Sequence, residues 1–136
     1  MADIFSKAKR SKLMSRIRSH GNAATELRLI SLMKDAGVTG WRRRYRLLGK
    51  PDFVFLKLWF AVFVDGCFWH GCPRCYTEPK SNSKFWRQKI EANRKRALFV
   101  NRALRKSGWR VLRVWQHELT RKNETRLIRR IQRALS

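Results

Sequence analysis

Residues 49–75 read Gly49-Lys50-Pro51-Asp52-Phe53-Val54-Phe55-Leu56-Lys57-Leu58-Trp59-Phe60-Ala61-Val62-Phe63-Val64-Asp65-Gly66-Cys67-Phe68-Trp69-His70-Gly71-Cys72-Pro73-Arg74-Cys75. Gly49-Lys50-Pro51 is a turn signal. Two apolar, β-rich runs follow, Phe53–Leu56 and Phe60–Val64, and their spacing predicts a hairpin. Asp52 opens the first run and Asp65 closes the second. In a hairpin the start of one strand lies beside the end of the other, so both carboxylates are expected at one end of the sheet. Carboxylates set against apolar strands need a proton, a cation or a metal, because unpaired buried charge is costly.

Two readings of that pair stay open on spacing alone. In one, Asp52 holds magnesium, which favours oxygen ligands and both neutralises a phosphodiester and activates water. In the other, Asp52 is a turn residue after Pro51 and Asp65 pairs with an arginine. His70 has two readings as well. Beside a metal site it would serve as the general base that deprotonates water. Otherwise it is a packed histidine or a zinc ligand.

The cysteines say more. Cys67, Cys72 and Cys75 share one short loop, with a C-x-x-C pair at its end. Three thiols cannot all pair within the chain, and this spacing points to zinc. The fourth ligand must come from His20, His70 or His117. His117 follows a predicted strand from which it can reach back to the loop, whereas His70 follows two bulky aromatics. Cys67, Cys72, Cys75 and His117 make a closed set, so the zinc is expected to be structural. Phe68 and Trp69 lie in the same loop. They either cover the core or, if exposed, form a wedge that enters DNA where unstacking costs least.

Outward from this region, residues 42–48 suggest a strand and residues 22–36 a helix. Asn22 would cap that helix, Leu27, Ile30 and Met33 would form its inner stripe, and Gly37 would end it. Residues 65–79 read as an irregular loop. A long helix is predicted over 83–106, with Trp86, Ile90, Asn93, Ala97 and Leu104 on one face and Gly108 after it. Trp109–Trp115 reads as a strand and 123–135 as an amphipathic helix, capped by Asn123, with Leu127, Ile128, Ile131 and Leu135 inside. The order implies an α/β domain with a mixed sheet between helices. Residues 1–20 form a basic arm or short helix. Leu13, Met14 and Ile17 share one face among Lys9, Arg10, Lys12, Arg16 and Arg18. This segment either docks on the core or lies along DNA.

The 136 residues allow one domain, read as residues 21–136 behind the arm. Lys and Arg number 33 against nine acids, for a net charge of +24. Such a chain attracts polyanions, and nucleic acid is the expected partner. No lipid-anchor motif, apolar span or secretory signal is visible, which argues against a membrane and for a reducing, cytoplasmic setting.

Several stretches resemble the very-short-patch-repair (Vsr) mismatch endonuclease family. They are Lys7–Lys12, Gly49–Phe55, Val62–Pro73, Phe85-Trp86, Lys89–Asn93, Gly108–Leu112 and Val114–Glu118. The run DGCFWHGC is the most specific. The resemblance implies a restriction-endonuclease-like fold of the PD-(D/E)xK kind. It implies a magnesium-dependent enzyme that nicks double-stranded DNA beside the T of a T:G mismatch, the product of deaminated methylcytosine. It assigns magnesium to Asp52 and the backbone carbonyl of Val64, the base to His70 and a supporting role to Glu26. Zinc would fall to Cys67, Cys72, Cys75 and His117. DNA contacts would fall to Phe68, Trp69, Trp86, Met14, Ile17, Lys9, Arg10 and Lys12, with support from Asp65 and Asn93. A monomer is expected at a nucleoid-associated, bacterial site of action, with repair factors as further partners.

One position departs from the family pattern. After Asn93 the family carries an arginine followed by an aspartate, and here Arg96 is followed by Ala97. The alternatives are therefore a catalytically weak protein that binds mismatched or distorted DNA, and a sequence-directed restriction-type nuclease on the same scaffold.

Overall fold

The computed structural model describes residues 23–136. The readings on the basic arm (Lys9, Arg10, Lys12, Met14, Ile17) and on Asn22 lie outside these residues. The elements in chain order are helix α1 (Ala23–Asp35), strands β1 (Trp41–Arg43), β2 (Phe53–Phe55) and β3 (Phe60–Asp65), helix α2 (Ser83–Lys106), strand β4 (Arg110–Trp115) and helix α3 (Glu124–Leu135). Short 3-10 turns cover Leu56–Leu58 and Gln116–Leu119.

The four strands form one sheet in the order β1-β2-β3-β4. The expected hairpin is present: β2 and β3 run antiparallel, with Phe53 opposite Val62 and Phe55 opposite Phe60. β4 lies parallel to β3, with Phe63 opposite Arg113. A parallel neighbour requires a crossover, and α2 supplies it.

Side chains alternate across a strand, and the hairpin uses both faces. Phe53, Phe55, Phe60, Val62 and Val64 join Leu29 and Met33 of α1 and Leu127 and Ile131 of α3 in one core. Val54, Ala61 and Phe63 point the other way and meet Val100 and Leu104 of α2 with Trp109. The sheet is thus covered on both faces, which explains why β2 and β3 are near-continuous apolar runs. Burying a side chain such as Phe53 or Phe63 contributes about 1.5–3 kcal/mol.

Three local expectations are corrected. The strand predicted over 42–48 stops at Arg43 because Arg44 takes a left-handed conformation, φ 55°. In α1, Leu27 is 58% exposed while Leu29 is fully buried. The buried stripe is Glu26, Leu29, Ile30, Leu32 and Met33, so a charged residue disguised the phase of the helix. Asn123 stands at the N-cap of α3 without a side-chain cap bond. Its amide instead donates to the His117 carbonyl at 3.0 Å.

The turn into β2 is tightly specified. Gly49 has φ 79°, and a Cβ there would meet a Val100 methyl at 2.5 Å. Lys50 follows at φ 53°, with its N–H donating to the Leu47 carbonyl. Asp52 therefore enters the sheet from a turn held against α2.

Candidate active site

Both acidic residues of the hairpin are buried and lie at the same end of the sheet. The Asp52 N–H donates to the Val62 carbonyl at 3.0 Å. The Val64 N–H donates to Asp52 Oδ2 at 2.7 Å. Asp65, at the end of β3, accepts from Arg113 Nη1 at 2.8 Å through Oδ1. The same oxygen lies 3.7 Å from His70 Nε2. Asp65, His70, Ala97 and Arg113 line one small cavity of about 60 Å³, together with Gly49 and Phe63.

Helix α2 fixes the loop that carries His70. The His70 N–H donates to the Gly66 carbonyl. The buried Asn93 donates from Nδ2 to the Trp69 carbonyl at 2.9 Å. Arg94 donates from Nε to the His70 carbonyl at 3.0 Å and from Nη2 to that of Gly71. Three consecutive carbonyls of an irregular loop thus find donors on one regular helix, which removes the cost of leaving them unsatisfied. Gly71 sits so close to α2 that a Cβ would meet Ile90 at 2.7 Å.

Glu26 is held by Arg43 on the face of the sheet that α1 covers. Its Oε2 accepts from Arg43 Nη2 at 2.5 Å, and Arg43 stands opposite Phe53, the residue after Asp52. Arg43, Arg94 and Arg113 were missed by sequence reasoning. The reading in which Asp65 pairs with an arginine is met by Arg113, but the strand also holds Arg110 and nothing local singled Arg113 out.

The cysteine loop converges with the segment after β4. Nδ1 of His117 lies 3.5, 3.5 and 3.4 Å from the sulfurs of Cys67, Cys72 and Cys75. All four ligand atoms fall within 4.8 Å of one another. Among the described residues this is the single group of three or more such side chains close enough to share an ion. A tetrahedral zinc with ordinary Zn–S and Zn–N bonds separates sulfur from nitrogen by about 3.6 Å, so the donor set fits. Burial pushes the Cys67 thiol up to about 12, and the neighbouring sulfurs add to the shift. Cys72 is buried too, but hydrogen bonds from the backbone of Arg74 and Cys75 and from the other thiols draw it below the usual thiol value. A bound cation overrides such differences, because it takes thiols as thiolates.

Phe68 and Trp69 are half-buried and packed on one another, with centroids 5.5 Å apart. Trp86, near the start of α2, lies 5.2 Å from Phe68 and 5.8 Å from Trp69. Tyr76 closes the other side of Phe68. The rings form a cluster that the cysteine loop and α2 share, and Phe85 extends it, 57% exposed. Among the described residues no helix is long and apolar enough to cross a membrane.

This sequence has known relatives. The family model described as DNA mismatch endonuclease Vsr matches residues 2–77. The type II nicking enzyme V.XorIIP of Xanthomonas oryzae is 43% identical over 122 residues, 88% of each chain. The DNA mismatch endonuclease Vsr of Escherichia coli is 39% identical over 118 residues, 85% of this chain and 74% of that protein. The type II nicking enzyme V.NaeI of Lentzea aerocolonigenes is 51% identical over 69 residues, and that match spans 42% of its length. The chain therefore belongs to the DNA mismatch endonuclease Vsr family and, with it, to the DNA-nicking nucleases.

Proposed function

We propose that the protein is a magnesium-dependent endonuclease that nicks one strand beside the T of a T:G mismatch in double-stranded DNA. The observation that carries the reading is the buried Asp52 carboxylate, placed just before the start of β2 and tied to the Val64 N–H. In an extended strand the N–H and C=O of one residue point to the same side. The Val64 carbonyl is thus turned toward the Asp52 side, and these two oxygens would hold the ion. One carboxylate and one carbonyl suit magnesium, which keeps several waters. When bound, the metal neutralises the scissile phosphate and acidifies water.

The chain's own groups do the rest. His70, fixed by Asn93 and Arg94 through the loop backbone, takes the proton of the attacking water. Glu26, buried beside Arg43, helps order the solvent there. Phe68 and Trp69, backed by Trp86, form the wedge at the mismatch. The arm residues Met14, Ile17, Lys9, Arg10 and Lys12 hold the duplex from outside the described region. The zinc of Cys67, Cys72, Cys75 and His117 is structural, and Pro51-Asp52 is the first part of a PD-(D/E)xK core. A monomer suffices, since one asymmetric mismatch offers no symmetry for a dimer to match.

The test uses labelled duplexes that differ only by T:G or C:G, in a panel of flanking sequences, with magnesium. The wild type is expected to nick the T:G duplexes. Asp52→Ala should bind them and leave them intact, and His70→Ala should slow the nick by roughly 10²–10⁴-fold. Unchanged nicking by Asp52→Ala would falsify the assignment.

A second reading rests on Ala97, which lines the cavity beside His70 and Asp65 without a polar group. On that reading the protein binds mismatched or distorted DNA and cleaves it weakly or not at all. Binding without a nick across the whole panel, with nicking restored by Ala97→Asp, would favour it. The type II nicking enzymes among the relatives raise a third outcome, nicking of fully paired DNA at one defined site.

A further inference from the structure

Arg113 is held on four sides. Its Nη1 donates to Asp65 at 2.8 Å and its Nε to Asn101 Oδ1 at 2.7 Å. Nη2 faces the Ala97 carbonyl at 3.5 Å, and the guanidinium lies over the Phe63 ring, 4.1 Å from its centroid. The parallel register, Phe63 opposite Arg113, puts the side chain on the α2 face of the sheet, where Asp65 also points. A planar guanidinium bonded at several nitrogens has one orientation, and it imposes one on the carboxylate it meets.

The full countercharge of Arg113 is committed to the buried Asp65 carboxylate. Asp65 in turn stands 3.7 Å from His70 Nε2, beside a cavity that Asn93 and Arg96 also line and to which Ala97 adds no polar group. A catalytic base is generally aligned by a third group, and Asp65 has the place and the rigidity for that task.

We infer that Arg113 is a positioning residue for this chain's nuclease reaction: it fixes Asp65, and Asp65 aligns the His70 imidazole. The inference rests on the reading of His70 as the base. The rival explanation is that Arg113 is only a countercharge that lets Asp65 be buried.

The experiment uses the zinc-loaded full-length protein and the variants Arg113→Met, Arg113→Lys and Asp65→Asn. Single-turnover nicking is measured at saturating T:G duplex, alongside the Kd for that duplex. The side-chain ¹⁵N–¹H spectrum of the histidines is recorded on the same samples, with His117 as internal control. Arg113→Met is expected to slow the nick about 10–100-fold, as loss of an outer-shell partner does, while Kd stays within about twofold. Millimolar guanidinium should recover part of the rate in Arg113→Met, and Arg113→Lys should fall between. The His70 signals should show one ring tautomer in the wild type and an averaged one in Arg113→Met and Asp65→Asn, with His117 unchanged.

With an active wild type, a slower nick without a changed His70 spectrum overturns the assignment, and so does the reverse. A rate that falls only in step with the folded fraction, without rescue by guanidinium, makes Arg113 a countercharge alone. If the wild type nicks no duplex, the nuclease reading falls by itself. The His70 spectrum then decides whether Arg113 holds His70: a spectrum unchanged in Arg113→Met removes the inference as well.

Discussion

Trp69 joins both halves of the site in one residue. Its carbonyl is held by Asn93 and its ring packs edge-on to Trp86. A ring so placed is pre-oriented, which lowers the entropy cost of inserting it into a stack. Trp69→Ala should weaken binding to a T:G duplex by about 1–3 kcal/mol, the value of one aromatic–base stack. Binding to the matched duplex should weaken much less, and titrations of both duplexes at one salt concentration check this. Equal losses on the two would make the ring a support for the loop. At this scale Asp52 and Asp65 were legible because acids are scarce in the chain, nine against 33 basic residues. Arg113 was harder to read, since its partner Asp65 lies 48 positions away and nothing local distinguishes it from any other arginine.

The cysteine loop depends on cooperation between elements. It spans the connection from β3 to α2, while its fourth ligand sits in the 3-10 turn after β4. That turn is tied down by Asn123 at the start of α3, which holds the His117 carbonyl. A metal here would fasten two connections, β3 to α2 and β4 to α3, to one another. The native protein should contain one zinc per chain by metal analysis. Cys75→Ser, or stripping with a strong chelator, should remove it and cost about 3 kcal/mol or more of stability, read by denaturant titration. An identical transition with and without chelator would rule out a structural zinc. The thiol spacing was legible because C-x-x-C is a local pattern. The phase of α1 was not: Glu26 lies on the buried stripe, paired with Arg43, and a charged residue on an inner face breaks the apolar periodicity by which such a face is recognised.

The whole molecule carries +24, and among the described residues five of its acids are paired with its own arginines. Glu26, Asp65, Glu78, Glu118 and Glu124 each face one. The Arg87 hydrogen bond holds the Glu78 carboxyl below the usual carboxylate value. What remains for solvent is positive, so phosphate contacts should dominate affinity for DNA. A plot of log K against log salt should fall linearly, with a loss of about 10³–10⁵ between 50 and 200 mM if six to ten phosphates are engaged. A slope near zero would mean that binding does not run through the phosphate backbone. The hairpin, the two carboxylates at one end of the sheet and the Cys67–Cys72–Cys75–His117 cluster could all be read from the chain, because short apolar runs, turn residues and ligand spacing are local. The parallel docking of β4 beside β3, the Arg113–Asp65–His70 alignment and the Arg43–Glu26 pair came only with the tertiary structure. Each depends on how α1 and α2 pack on opposite faces of the sheet, and the register of packing between distant segments leaves no periodic trace in either one.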